Sequence, residues 1–160
     1  MMKALSVVEP PPASSSVPVD SKVGALIEIR FIGSASLDQV VAFEKKLVTL
    51  VRGIAKGGRR RAVLCTDLRA CLVLRPEVSD RIVKLMQNDN PHIERNAFLG
   101  QTSALLSLQV QRFISESGER GRRRMFAEEA PLVTWLSEVT TIHEQARLRA
   151  FLASAPVVSV

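Results

Sequence analysis

Aromatic residues, histidine and cysteine are all scarce in this chain. Its 160 residues include six phenylalanines, one tryptophan, no tyrosine, two histidines and two cysteines. So few aromatic rings leave little material for the stacking surfaces that bind single-stranded nucleic acids. Cys65 and Cys71 belong to no CxxC pair and no zinc-type cluster, and a chain of this length can build a core without disulfides. The lack of a disulfide or zinc pattern predicts a reducing, cytoplasmic location.

The sequence motifs of common catalytic and cofactor sites are also missing. His92 and His143 have no metal-ligand spacing to each other or to a cysteine. Lys56 is followed by Gly57 and Gly58 at the predicted end of a helix, whereas a phosphate-binding loop precedes a helix. A cysteine paired with His92 as a nucleophile has no motif behind it. We therefore predict a non-enzymatic protein with no metal and no cofactor.

Long apolar runs are absent as well. No run approaches the roughly 20 residues that span a bilayer, so no transmembrane segment is predicted. The apolar stretch before Glu9 is only about five residues long, which is too short for the core of a signal peptide. Prolines and serines follow it, so we predict a flexible Pro/Ser-rich segment over residues 1–22. Residues 23–154 are then a single domain, and residues 155–160 are a C-terminal tail.

Strand and helix patterns alternate along the predicted domain. Residues 26–32 alternate apolar and charged side chains, which predicts a half-exposed strand. Ser36 and Thr141 each open a sequence with capping-box spacing, which predicts a helix start. Residues 62–65 form a continuous apolar run typical of a strand buried on both faces. The complete order predicts an α/β fold whose small, mostly parallel or mixed sheet has four to five strands flanked by helices.

Two short segments carry a resemblance to a known fold. Residues 61–68, RAVLCTDL, look like a central strand that ends in an Asp-Leu pair, and residues 125–136, MFAEEAPLVTWL, look like a last strand and helix. Both are similar to the STAS domain superfamily, particularly its SpoIIAA-like, anti-sigma-factor-antagonist branch. Together with the element order, the resemblance extends over about residues 24–139. It implies a STAS-like regulatory protein that acts through protein–protein contacts.

One departure from that family concerns its regulatory serine. In antagonists of this fold, a phosphorylatable serine stands in the turn that leads into the helix after the central strand. The matching residues here, 74–78 (LRPEV), contain no hydroxyl group, and Ser79 lies further along. The resemblance therefore implies protein binding without the usual phosphorylation switch. Arg75, which lies in this turn, is a candidate partner-binding residue.

Positive charge is concentrated in two arginine triplets. The net charge is +6, from 22 basic and 16 acidic side chains. Each triplet immediately precedes a predicted strand; the six residues are Arg59, Arg60, Arg61, Arg122, Arg123 and Arg124. If both strands are parallel, the triplets share the amino edge of the sheet and form an arginine rim suited to carboxylates and phosphates. Alternatively, these charges only protect apolar strands from aggregation.

Several functional hypotheses remain open at this stage. Asp67 is predicted at the carboxyl end of the central strand, where it either caps a turn or contacts a partner or small ligand. The last helix, around Leu148, either packs on the sheet or forms a docking or dimer surface. The leading hypothesis is a cytoplasmic regulator that binds either another protein, whose acidic surface would match the arginines, or a second copy of itself. The alternatives are binding of nucleic acid or lipid headgroups by the arginine rim, with weak support for nucleic acid, and carriage of a small hydrophobic ligand.

Overall fold

The structure, a computed structural model, describes residues 15–58, 60–100 and 103–154. The strands are β1 (Val19–Asp20), β2 (Leu26–Gly33), β3 (Ala62–Cys71), β4 (Ile93–Leu99) and β5 (Arg123–Phe126). The helices are α1 (Leu37–Gly57), α2 (Pro76–Asp89), α3 (Ala104–Ser117), α4 (Glu129–Ser137) and α5 (Ile142–Ala153). Short 3₁₀ turns, Asn90–His92 and Arg120–Arg122, precede β4 and β5. The expected alternation of strands and helices is present, with one additional strand at its start.

The five strands form one mixed sheet in the order β1-β2-β3-β4-β5. The strands from β2 to β5 are parallel, and β1 is antiparallel to β2. Parallel neighbours require crossover connections, and the crossover helices α1, α2 and α3 cover one face of the sheet, whereas α4 and α5 cover the other. A five-stranded mixed sheet flanked by five helices confirms the predicted α/β class.

The sheet separates two hydrophobic cores. In β3, Leu64 and Leu68 face the core formed with α1, α2 and α3, whereas Val63 and Cys65 face the core formed with α4 and α5. This alternation follows from the period of two along a strand. The prediction of a doubly buried strand at residues 62–65 is confirmed, and the strand continues to Cys71. Since both faces are covered, the ends of the strands and their loops form the remaining exposed edges.

The prediction that β2 is half exposed is wrong. Ile27 and Ile29 face the first core as expected, but Glu28 on the opposite face is only 5% exposed. Helix α5 covers that face, and Arg147 donates hydrogen bonds to the Glu28 carboxylate at 2.7 and 2.9 Å. Glu28 is therefore buried because a distant helix supplies an opposite charge, which the local pattern does not reveal.

The sheet begins earlier than the domain boundary expected at residue 23. Val19 pairs with Ile29 across the β1–β2 ladder and is buried, and Ser16 forms an isolated bridge with Ile32. The outer edge of β2 presents backbone N–H and C=O groups that need partners, and an extended Pro/Ser-rich chain supplies them. Residues 1–14 and the predicted tail at 155–160 lie outside the described residues.

Both predicted capping boxes are present. The Ser36 hydroxyl accepts a hydrogen bond from the Gln39 N–H at 3.2 Å, and the Thr141 hydroxyl accepts one from the Glu144 N–H at 3.1 Å. These contacts fix where α1 and α5 begin, because they satisfy amides that have no partner inside the helix. Among the described residues, no helix combines the length and the apolar character needed to cross a membrane.

Candidate functional site

The carboxyl ends of β2, β3 and β4 lie along one edge of the sheet, and the loops into α1, α2 and α3 leave from there. Five large apolar side chains in or beside these loops are exposed to solvent: Leu37, Leu72, Val73, Leu105 and Leu108. We call these five residues the edge patch. An exposed cluster of large apolar side chains is typical of a contact surface. The sixth exposed large apolar residue of the described chain, Ile142, lies at the amino edge, where α5 begins.

The loop that carries Leu72 and Val73 is held by hydrogen bonds on both sides. The Leu72 N–H donates to the Gly33 carbonyl at 3.0 Å. The side chain of Gln109 accepts from the Leu74 N–H at 3.1 Å and donates to the Leu74 carbonyl at 2.7 Å. Leu72 nevertheless remains 60% exposed. The loop is thus ordered by its backbone while its apolar side chains stay accessible, which lowers the entropy lost when a partner binds.

Helix α3 adds its two exposed leucines to the same surface. Leu105 and Leu108 are three residues apart and therefore neighbours on the helix surface, and Leu105 is one turn before Gln109. Because Gln109 bonds the loop after β3, Leu105 lies beside that loop. Leu108 is 61% exposed. The edge patch therefore extends from the loop after β3 onto the first turns of α3.

Arg75, a residue singled out from the sequence, lies next to the edge patch. It occupies the N-cap position of α2, immediately before Pro76, and its side chain is exposed. No carboxylate of the described residues pairs with its guanidinium. A surface that combines apolar side chains with one unpaired cation is suited to a partner surface that is apolar and carries an acidic group.

Ser79, the nearest hydroxyl to the family's regulatory position, is not on this surface. It is 1% exposed, and its hydroxyl has no hydrogen-bond partner among the described residues. A kinase needs an accessible hydroxyl, which Ser79 does not present in this structure. Sequence reasoning missed the apolar character of the edge, although consecutive Leu72 and Val73 after a strand were a signal for it.

Asp67 lies in a buried ion cluster instead of at an exposed strand end. Its carboxylate is fully buried and accepts hydrogen bonds from Arg30 Nε at 2.8 Å and from Arg69 Nε at 2.9 Å. Burial raises the pKa of Asp67, but the hydrogen bonds and charges of Arg69 and Arg30 outweigh that effect and hold the pKa below its usual value. The backbone N–H of Arg69 also donates to this carboxylate at 3.0 Å. Asp67 is therefore a negative centre shared by two arginines.

The two arginines of this cluster also hold the end of α5. Arg30 donates to the Phe151 carbonyl at 2.7 Å, and Arg69 donates to the Leu152 carbonyl at 2.8 Å. The last carbonyls of a helix have no partner inside the helix, and cations are favourable at this end of the helix dipole. Asp67 thus orients two arginines that anchor α5 to the sheet. Arg30 and Arg69 were not predicted, since Arg30 meets Asp67 only through the register of β2 with β3.

The first arginine triplet lies at the amino edge, before β3, and its members differ in their surroundings. Arg59 lies outside the described residues. Arg60 donates two hydrogen bonds to the buried carboxylate of Glu144, at 2.6 and 2.8 Å. Burial raises the pKa of Glu144, but the hydrogen bonds from Arg60 and from backbone amides outweigh this and keep the pKa low. Arg61 is exposed and forms no ion pair with the described residues.

The second triplet lies at the same edge, because β3 and β5 are both parallel to β4. Arg122 donates to two backbone carbonyls, those of Asn90 and Ile93. Arg123 is 4% exposed, and burial lowers its pKa to about 10. Arg124 is exposed, with its guanidinium 4.9 Å from the ring centre of Trp135. Among the described arginines of the rim, Arg61 and Arg124 form no ion pair or hydrogen bond within the described chain, whereas Arg60, Arg122 and Arg123 bind groups of this chain.

The role of Arg60 leads to a stability prediction. Arg60→Ala is expected to lower the free energy of unfolding by about 1–2 kcal/mol, because it leaves the buried Glu144 carboxylate without its cation. Arg61→Ala, the matched control one residue away, is expected to change it by less than about 0.5 kcal/mol. Urea denaturation at neutral pH measures both values. Equal losses in the two variants would contradict the structural role of Arg60.

The thiols and histidines considered for catalysis are far from a reactive arrangement. Cys65 and Cys71 are both buried and form no disulfide. Burial raises the pKa of both thiols, and that of Cys71 reaches about 12. A thiol with such a pKa is not a thiolate near neutrality and is a poor nucleophile. His92 and His143 are exposed, on the turn before β4 and in the first turn of α5.

An internal cavity lies in the first core, between the sheet and helices α1 and α2. Its volume is about 40 Å³, and its wall is mostly apolar, with Thr66, Asn96, Asp89 and Arg123 at its polar parts. A volume of about 40 Å³ is room for a few water molecules at most. The cavity is therefore far smaller than an acyl chain. The described residues also contain no group of three or more side chains suited to hold a metal ion.

Comparisons with known proteins identify the fold. No protein-family model matches the sequence, and no curated protein matches it. Among solved structures, the chain is similar to an uncharacterized protein of the DUF3478 family from Shewanella loihica PV-4, which has a SpoIIAA-like fold. The TM-score is 0.57 and the sequence identity is 14%, over 85% of this chain and 98% of the other. This likeness confirms the SpoIIAA-like fold predicted from the sequence.

Proposed function

We propose that this chain, whose fold is SpoIIAA-like, is a non-enzymatic regulator that binds another protein through the edge patch and Arg75. The observation that carries the proposal is the exposure of Leu72 and Val73 on an ordered loop. This loop leads into α2, where antagonists of the family carry their regulatory serine. Here the same place in the fold presents apolar side chains and one unpaired cation.

The energetics of the edge patch support a contact of modest strength. Burying one exposed leucine contributes about 1.5–3 kcal/mol, so a few such side chains supply the centre of a transient interface. Arg75 adds selectivity for a partner with an acidic group at the matching position. We propose a cytoplasmic setting because both cysteines are unbonded thiols in the structure.

The arginine rim and the carrier hypothesis receive less support from the structure. An anionic ligand at the amino edge would find Arg61 and Arg124 accessible, but two carboxylates, Glu94 and Glu138, line the same surface depression as Arg61. Burial of Arg123 removes it from such a contact. A carrier of lipid-like ligands would need a cavity much larger than about 40 Å³. We therefore place the functional contact at the carboxyl edge.

The proposal is tested by the double variant Leu72→Asp/Leu108→Asp. Two exposed carboxylates in the edge patch would be desolvated and unpaired in an apolar interface, so we expect at least a tenfold loss of partner capture. The full-length protein, immobilised, is used to capture partners from native lysate, and each bound protein is quantified by mass spectrometry. Sedimentation of the purified chain establishes whether the partner is a second copy.

The control for this experiment is Ile142→Asp. Ile142 is 77% exposed, the same kind of residue on the opposite edge of the sheet. We expect this variant to retain capture and all variants to keep the wild-type circular dichroism spectrum. A protein retained equally by the wild type and by both variants does not use the edge patch. If Leu72→Asp/Leu108→Asp captures every protein that the wild type captures and self-associates to the same extent, the proposed function is wrong.

A further inference from the structure

The edge patch also has a candidate occupant within this chain. We infer that the apolar N-terminal residues 5–8 (LSVV) dock on the edge patch in cis and compete with its partner. As a mode of regulation, this inference rests on the proposed function. Its geometric basis is independent, because it depends on where the described chain begins and on what surrounds that point.

The described chain begins at the edge of the sheet that carries the patch. The Ser15 hydroxyl donates to Gln39 Oε1 at 2.8 Å, and Gln39 Nε2 donates to the Ser15 carbonyl at 2.6 Å. Gln39 lies in the first turn of α1, two residues after Leu37 of the edge patch. Ser16 bridges to Ile32 near the carboxyl end of β2. Ser15, where the described residues begin, therefore lies beside the edge patch and not at the opposite edge.

The length of the tether matches the distances across the patch. Six residues separate Val8 from Ser15, and a chain of six residues spans at most about 20 Å. Adjacent strands are about 4.8 Å apart, so the ends of β2 and β4 are separated by roughly 10 Å. Residues 5–8 can consequently reach the loop after β3 and the first turns of α3.

The composition of the segment matches the surface that it can reach. Leu5, Val7 and Val8 are large apolar side chains, and Glu9 follows them directly. The edge patch offers apolar side chains beside the exposed cation of Arg75, for which the described residues provide no carboxylate. A short tether gives a local concentration on the order of millimolar, so even a weak contact is substantially occupied. A partner must then displace residues 5–8 before it can bind the edge patch, so the segment and the partner compete for the same surface.

This inference differs from the phosphorylation switch of the family in its physical basis. A phosphoserine controls binding by adding charge within the contact, whereas a tethered apolar segment controls it by occupancy. If the segment covers the patch nine-tenths of the time, its removal raises the apparent affinity for a partner about tenfold. Regulation can thus operate at an edge where residues 74–78 contain no hydroxyl group.

Nuclear magnetic resonance of the full-length chain tests the inference. The variant Leu5→Asp/Val7→Asp/Val8→Asp removes the apolar contact, so the methyl resonances of the edge patch, such as those of Leu72 and Leu108, should shift. The matched control, Ala4→Asp/Ala13→Asp/Ser14→Asp, adds the same charge to residues 1–14 but leaves the docking residues 5–8 unchanged. It should leave these resonances in place. The methyl resonances of Ile142 should not move in either variant.

Addition in trans provides the second measurement. A synthetic peptide with the sequence of residues 1–14 is titrated into the Leu5→Asp/Val7→Asp/Val8→Asp variant. We expect a saturable return of the patch resonances toward their wild-type positions, at peptide concentrations on the order of millimolar. The same titration into a chain that also carries Leu72→Asp/Leu108→Asp should produce no saturable change. Patch resonances that are identical in the wild type and both segment variants would overturn the inference.

The outcomes separate this inference from the proposed function. If the segment variants leave the patch resonances unchanged but Leu72→Asp/Leu108→Asp abolishes partner capture, docking in cis is wrong and the proposed function stands. If the segment variants shift the resonances but no partner depends on the edge patch, docking in cis stands and the proposed function falls. When both hold, Leu5→Asp/Val7→Asp/Val8→Asp should increase partner capture relative to its control.

Discussion

Replacing Asp67 with asparagine is expected to lower the free energy of unfolding by about 3–5 kcal/mol, the cost of breaking a buried ion pair by removing one partner. The fully buried carboxylate is the shared acceptor for Arg30 and Arg69. Without its charge, two guanidiniums lie close together with no negative centre between them. Their hydrogen bonds to the end of α5 should weaken as well, since Asp67 orients both side chains.

Glu129 supplies a matched control for this substitution. It pairs with the same arginine, Arg69, at 3.2 Å, but its side chain is 52% exposed. Exposed pairs contribute about 0–1 kcal/mol, so Glu129→Gln should have little effect. Urea denaturation of the wild type and both variants at pH 7 measures the difference. A similar loss in Glu129→Gln and Asp67→Asn would show that burial does not determine the strength of this cluster.

The stability difference between the wild type and Asp67→Asn depends on pH in a way that follows from the direction of the Asp67 pKa shift. The pKa of Asp67 lies below its ordinary value in the folded protein, so its contribution to stability is fully present above the unfolded pKa of about 4. That contribution is lost as the pH falls through the folded pKa. The difference in unfolding free energy between the wild type and Asp67→Asn should therefore be constant from about pH 5 to 7 and narrow progressively as the pH falls below about 4. A gap that widens on acidification would contradict this sign.

Shortening Leu148 to alanine is expected to cost about 2–5 kcal/mol, because the substitution leaves a cavity in the core between α5 and the sheet. Leu148 is fully buried there. The control is Leu105→Ala in α3, where the same side chain is exposed and its removal should change stability by less than about 0.5 kcal/mol. Thermal or urea unfolding distinguishes the two. If Leu105→Ala lowered the free energy of unfolding as much as Leu148→Ala, Leu105 would stabilise the fold and the edge patch would not be a surface free to bind a partner.

The molecule has two parts that differ in their buried charges and exposed side chains. The face covered by α5 is fixed by buried charges: Asp67 with Arg30 and Arg69, Glu28 with Arg147, and Glu144 with Arg60. The carboxyl edge on the side of α1 and α3 has exposed leucines and an unpaired Arg75. Substitutions in the first part should therefore alter stability, whereas substitutions in the second should alter binding with little change in stability.

Much of the fold was predictable because its signals are local. The alternation of Ile27 and Ile29, the capping boxes at Ser36 and Thr141, and the apolar run at residues 62–65 each involve contacts within a few residues. The strand β1 was not predicted, because two residues become a strand only when an exposed edge of β2 lies beside them. The edge patch was missed for a related reason, since exposure depends on which surfaces the other elements cover.

The arginines show most clearly what the sequence left open. A run of three arginines predicts positive charge before a strand, and the parallel sheet does bring both triplets to the amino edge. The local sequence does not show which group each guanidinium binds. Arg60 meets Glu144 across 84 residues of chain, and Arg123 turns inward to the Met86 carbonyl, 37 residues away.

The scarcity of aromatic, histidine and cysteine residues, together with the strand–helix alternation, determined that this is an α/β domain without recognisable catalytic motifs. Those properties depend on composition and on neighbours in the sequence. The tertiary structure decided which charges are buried as partners, that Asp67 anchors a helix, and that the exposed apolar surface lies at the carboxyl edge beside the start of the described chain. The physical reason is that burial and ion pairing depend on distances between residues far apart in the chain, and only the packed sheet and helices set those distances.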